Sequence, residues 1–145
     1  MKISHIISSK GDFVATVPPD ATVADLLAAL AQHGVGALVV SADGRAIDGI
    51  VSERDVVRTL ARDGQEVLAR SVAEIMTRQV QCAPPDADVA DIMGVMTEQR
   101  VRHVPVVDAD GSLVGIVSIG DVVKNRLGEL EGEREALMDY VTRGH

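Results

Sequence analysis

Two short strings hold the side chains best suited to chemistry: Ser52-Glu53-Arg54-Asp55 and Ser118-Ile119-Gly120-Asp121. In each, a hydroxyl precedes a carboxylate by three residues, directly after Gly-Ile-Val at Gly49 to Val51 and at Gly115 to Val117. The apolar, β-branched run gives way to polar residues at the serine, which reads as a strand entering the first turn of a helix. A carboxylate there has two uses. It can close a capping box with the serine, although Glu or Gln is the usual residue at its position. It can also offer two acceptor oxygens to the cis hydroxyls of a sugar, while the serine hydroxyl and the positive end of the helix favour a nearby anion. Two occurrences in matching contexts favour ligand contact, and the cap is compatible with it while the site is empty.

Cations for such an anion are available at Arg100, Arg102 and His103, a local basic cluster in a chain of net charge -8 and pI near 4.8. That overall balance repels a nucleic-acid backbone, so nucleic acid is not an expected partner. The lone Cys82 reads as a small core hydrophobe, and His5, His33, His103 and His145 show no metal-ligand spacing. Nor does any nucleophile–base pair or Walker-type phosphate loop occur, so no enzyme is expected. With no membrane-length apolar run and no long apolar stretch at the start, the chain reads as cytoplasmic.

The elements that must position these groups are written twice. At an offset of 66, residues 18–58 match residues 84–124 at 16 of 41 positions without a gap, including Pro18 to Ala21 on Pro84 to Ala87 and Asp55-Val56-Val57 on Asp121-Val122-Val123. Each copy runs from Pro-Asp turn residues into a helix, with Val23, Leu26, Leu27 and Leu30 at helical spacing in the first and Val89, Ile92, Met93 and Met96 in the second. Two strands around Asp43-Gly44 (Leu38 to Val40, Ile47 to Val51) and around Asp110-Gly111 (Val104 to Val107, Leu113 to Val117) predict two hairpins, each followed by a second helix. The first copy carries about three extra residues near Lys10-Gly11-Asp12, and the boundary falls near residue 70. At 145 residues, 46% hydrophobic and 1% aromatic, the chain makes one compact unit, or two small ones sharing an aliphatic core.

The paired Gly-Ile-Val-Ser-x-x-Asp strings, with Val104-Pro105-Val106-Val107-Asp108 and the Asp-Gly that follows, resemble the signature of cystathionine-β-synthase (CBS) domains from about Ser4 to Leu127. The resemblance implies a mixed α/β (α+β) fold of tandem β-α-β-β-α repeats, 1–70 and 71–127, in one pseudo-twofold module with a helical extension over 128–145. It implies regulatory binding of AMP, ADP, ATP, NAD(H) or S-adenosylmethionine between the repeats, with no cofactor required, pairing into a homodimer, and signalling to a regulated partner in trans. One cleft would then gather Ser52, Arg54 and Asp55 with Arg102 and His103, its adenine walls being Ile50, Val80 and Val101, with Thr77 touching the base. The other would gather Ser118 and Asp121, with Ile116, Val14 and Val35 as walls. There Gly36 and Ala37 stand where Arg102 and His103 stand in the second copy, so this cleft is expected to lack positive charge and bind weakly, bind only adenosine, or stay empty. The stripe of Leu130, Leu137 and Val141 is expected either to cover the module's own core or to meet a second subunit. The competing reading is a structural dimerisation module with degenerate sites.

Overall fold

The computed structural model describes residues 1–11 and 14–143. Asp12 of the predicted insertion, and His145, lie outside the described residues. Among the described residues the molecule is mixed α+β, with two hairpins and five α-helices. Helix α1 (Ile3–Lys10) leads to strand β1 (Thr16–Val17), α2 (Val23–His33), the hairpin β2 (Ala37–Val40) and β3 (Gly49–Ser52), and α3 (Glu53–Asp63). Two 3-10 turns, Gln65–Ala69 and Val72–Glu74, connect to α4 (Val89–Gln99), the hairpin β4 (His103–Val107) and β5 (Leu113–Ser118), and the 25-residue α5 (Ile119–Arg143).

Local chemistry sets the boundaries. Helix α2 starts on a capping box, Thr22 Oγ1 accepting from Asp25 N at 3.1 Å while Asp25 Oδ2 accepts from Thr22 N at 3.3 Å, and it stops at Gly34, whose φ of 63° needs no Cβ to be avoided. In the first sheet, β1 runs parallel to β2 and β2 antiparallel to β3, with Val39 opposite Ile50. In the second, β4 pairs antiparallel with β5, Pro105 opposite Ile116, and the partner of β1 is reduced to a single bridge from Ala83 to Val106.

Two aliphatic clusters form the core. One joins Val23, Leu26 and Leu30 of α2 to Leu38, Val51 and Val56; the other joins Val89, Ile92 and Met96 of α4 to Val104, Val117 and Val122. Each is completed by the segment that precedes the other repeat. Ile3 and Ile6 of α1 are buried in the second cluster, where Ile3 N donates to Ala87 O at 2.9 Å. Val67 and Val72, from the connection, are buried in the first, where Val72 N donates to Ala21 O at 2.8 Å. This exchange leaves neither half a complete core of its own.

Candidate functional site

A cavity of about 260 Å³ opens where β3 enters α3. Ser52 is the N-cap of α3: its Oγ accepts from Asp55 N at 3.3 Å, while Ser52 N and Oγ donate to Asp55 Oδ2 at 2.8 and 3.1 Å. The capping box therefore exists, and it uses one carboxylate oxygen; among the described residues no hydrogen bond ends on Oδ1. Ser52, Arg54, Asp55 and Ile50 line the cavity on one side, and Thr77, Val80, Val101, Arg102 and His103 face them from the second repeat. Thr77 is held there by backbone bonds, Thr77 N to Ile50 O at 2.9 Å and Ile50 N to Thr77 O at 3.0 Å, so it extends the first sheet past β3.

Four guanidinium groups, Arg54, Arg58, Arg100 and Arg102, line this one cavity, against the carboxylates of Asp55 and Glu53. Among the described residues none of the four is in a salt bridge. Arg100 terminates α4 in the left-handed region, with φ 55°, where the matching residue of the first repeat is Gly34. His103 is not the cation expected of it. Burial holds its pKa below the ordinary 6.5, Lys10 and Arg102 pushing the same way and Asp121 and Glu53 opposing, so the imidazole is neutral at pH 7 and serves as a hydrogen-bonding group.

A second cavity of similar volume lies beside β5, with Val14, Val35, Ala37 and Ile116 on its wall. Three expectations change here. Gly36 faces the first cavity, and Ala37 lines both; the Gly36 carbonyl accepts from Glu53 N at 3.0 Å, which ties this corner to the start of α3. The cavity does not lack a cationic group, because Lys10 lines it. Ser118 and Asp121 form their own corner, Ser118 N donating to Asp121 Oδ2 at 2.9 Å and Asp121 N to Ser118 Oγ at 3.2 Å, but they are not among the lining residues. Lys10 Nζ sits instead on Asp121 Oδ2 at 2.8 Å. Burial raises the Asp121 pKa, but the bonds from Lys10 and Ser118 outweigh it and hold the carboxyl below its ordinary range.

Sequence reasoning missed Glu53, Arg58, Gln79 and Gln81 in the first cavity, and Ile7, Lys10 and His33 in the second. Arg58 was findable, since it lies four residues after Arg54 on one helix face. Gln79 and Gln81 lie in an irregular segment, and Lys10 comes from a helix that packs across the repeat boundary, so neither carries a periodic signal.

Comparison with known proteins agrees with this architecture. The CBS domain family model matches residues 4–62 and 72–128. The mitochondrial CBS domain-containing protein CBSX3 of Arabidopsis thaliana is 36% identical over 151 residues, 99% of this chain and 73% of that protein. The crystal structure of a CBS-domain protein from Agrobacterium tumefaciens superposes with a TM-score of 0.81 at 41% identity, covering 87% of this chain and 99% of that one. A CBS domain protein of Pyrobaculum aerophilum, solved as a complex with AMP, superposes with a TM-score of 0.72 at 28% identity over 83% of this chain and 89% of that one. A duplicated corner, an exchanged core and these matches lead to one assignment: the chain belongs to the CBS domain family, as a tandem pair of repeats.

Proposed function

We propose that this protein is a regulatory module that binds an adenine nucleotide in the cavity between Asp55 and Arg102 and signals to a partner protein in trans. One observation carries the reading: in a chain of net charge -8, four arginines and a helix-capping carboxylate converge on a single hollow with aliphatic walls. The roles follow from chemistry. Asp55 accepts from the ribose hydroxyls, the arginines and the N-terminus of α3 neutralise phosphate, and Ile50, Val80 and Val101 enclose the base, with Thr77 beside it. AMP bound to the Pyrobaculum aerophilum relative supports an adenosyl phosphate as ligand. ADP, ATP and NAD(H) share that portion.

Signalling requires that the nucleotide bind one arrangement of the repeats better than another. Because the cavity is lined from both repeats, closing on a ligand changes their relation. A homodimer belongs to the same proposal, supported by the bare apolar face of α5, and so does a cytoplasmic location; among the described residues no helix is long and apolar enough to cross a membrane.

Calorimetric titration with AMP, ATP, NADH and S-adenosylmethionine tests the reading. Saturable binding of one of them, weakened at least tenfold by Asp55→Asn, is expected, since Asn keeps the acceptor for Ser52 N but removes the charge. Silence against all four ligands would leave the scaffold reading in possession.

A further inference from the structure

The two corners that look alike in sequence differ in what occupies their carboxylates. In the first, the carbonyl of Ile50 is satisfied by Thr77 N at 2.9 Å, and among the described residues no cation pairs with Asp55. In the second, the matching carbonyl, that of Ile116, accepts from Lys10 Nζ at 2.8 Å, and the same ammonium bonds Asp121 Oδ2 at 2.8 Å. Allowing for the three extra residues of the first copy, the residue that matches Thr77 is Ser8, two places before this lysine in α1, because Ile3 N on Ala87 O matches Val72 N on Ala21 O. A side chain at the end of α1 thus does for the second sheet what a backbone bridge does for the first, and in doing so it takes the carboxylate. The pair is partly exposed, with side-chain exposures of 37% and 24%, but the ammonium is held at two points, the Ile116 carbonyl and the Asp121 carboxylate, rather than by one surface contact.

We infer that Lys10 is the specificity-determining residue of the second cavity: its ammonium occupies Asp121 in place of a sugar diol, restricting the chain to one nucleotide, bound at Asp55. This rests on the nucleotide reading of the Asp55 cavity. A diol entering beside Asp121 must displace a charge-assisted bond to the carboxylate and return the ammonium to water, a penalty of roughly tenfold to a hundredfold in affinity. With Lys10 removed, the cavity keeps its apolar walls, Val14, Val35 and Ile116, and extends past the vacated ammonium to Asp121, which does not line it while the lysine is in place and then becomes an open acceptor. It also loses a cation, so the ligand it then admits is an uncharged nucleoside rather than a phosphorylated one.

The test is the number of ligands bound per chain, by calorimetry or equilibrium dialysis, using AMP and adenosine as probes on the full chain. The wild type is expected to bind one AMP and no second adenosine. Lys10→Ala is expected to add one equivalent of adenosine that persists when Asp55→Asn is combined with it and vanishes with Asp121→Asn. Lys10→Met, which keeps the aliphatic stem against α1 and β5, gives the same gain if Lys10→Ala folds poorly. Two equivalents of adenosine on the wild type, or no gain in either lysine variant, would overturn the inference. A wild type silent to both probes, with one adenosine gained by Lys10→Ala, would sink the Asp55 reading while leaving the gating role of Lys10 intact.

Discussion

Arg100 stands where the backbone asks for glycine. A side chain in the left-handed region costs roughly 1 kcal/mol against Gly, and the first repeat uses Gly34 at this helix end with φ 63°. The strained residue is one of the four arginines on the first cavity, which gives the strain a use there. Arg100→Gly is therefore expected to raise unfolding free energy by about 1 kcal/mol in chemical denaturation while weakening AMP binding severalfold; a variant that gained stability and bound AMP as before would remove Arg100 from the site. His103 makes a second prediction. Its pKa is lowered in the folded chain by burial first, so the unfolded chain takes up the proton at higher pH. The stability it contributes is present above about pH 6.5 and is lost as pH falls below that value towards the folded pKa. His103→Gln is expected to flatten the stability profile between pH 7 and 5, measured as denaturation midpoints, leaving the profile below pH 4 to carboxylates such as Asp121.

At the scale of elements, the glycines that open the two Gly-Ile-Val-Ser strings mark where the exchanged segments cross the hairpins. A Cβ at Gly49 would lie 2.7 Å from both Thr77 O and Met76 Sδ, and one at Gly115 would strike Ile7 Cδ1. Backbone cannot yield as a side-chain tip can. Gly49→Ala should therefore cost about 1–3 kcal/mol, the usual range for overpacking, and Gly115→Ala clearly less, because Ile7 can rotate; equal costs by denaturation would contradict this. The helices, both hairpins and the serine–aspartate corners were legible because apolar residues recur at helical or alternating spacing and the repeat shows each pattern twice. The same apolar pattern predicts a second strand from Ile47, yet β3 begins at Gly49. Other features had no such signal. Helix α1 has eight residues and only Ile3 and Ile6 buried, too short a stripe to announce a partner in the other repeat. The site's opposite wall was legible at Arg102, Val101 and Thr77 through the family resemblance, while the Lys10 bond to Asp121 spans 111 residues and depends on how the halves dock.

Taken as a whole molecule, the chain leaves its longest helix largely uncovered. The stripe expected from Leu130, Leu137 and Val141 does not cover the module's own core: these side chains are 44%, 66% and 74% exposed, and α5 runs without a break from the second repeat to Arg143. Val123, Leu127, Leu130, Leu137 and Val141 recur at steps of four, three, seven and four residues, the a/d seam of a coiled coil, and Val123 and Leu127 are exposed as well. At roughly 37 Å, the helix is long enough to pair along this seam. Its flanks are Lys124 and Arg126 in the first half and Glu131 and Glu133 in the second, so two copies packed antiparallel bring opposite charges together, whereas the seam residue Arg134 would face its own copy in a parallel pair. The proposed homodimer then depends on this face, and nucleotide binding within each chain does not. Leu130→Glu combined with Leu137→Glu is expected to convert a dimer to a monomer in sedimentation velocity at micromolar concentration, with the AMP isotherm unchanged. A wild type that sediments as a monomer, or a double variant that stays dimeric, would remove α5 as the dimer contact and place the output of the sensor on some other surface.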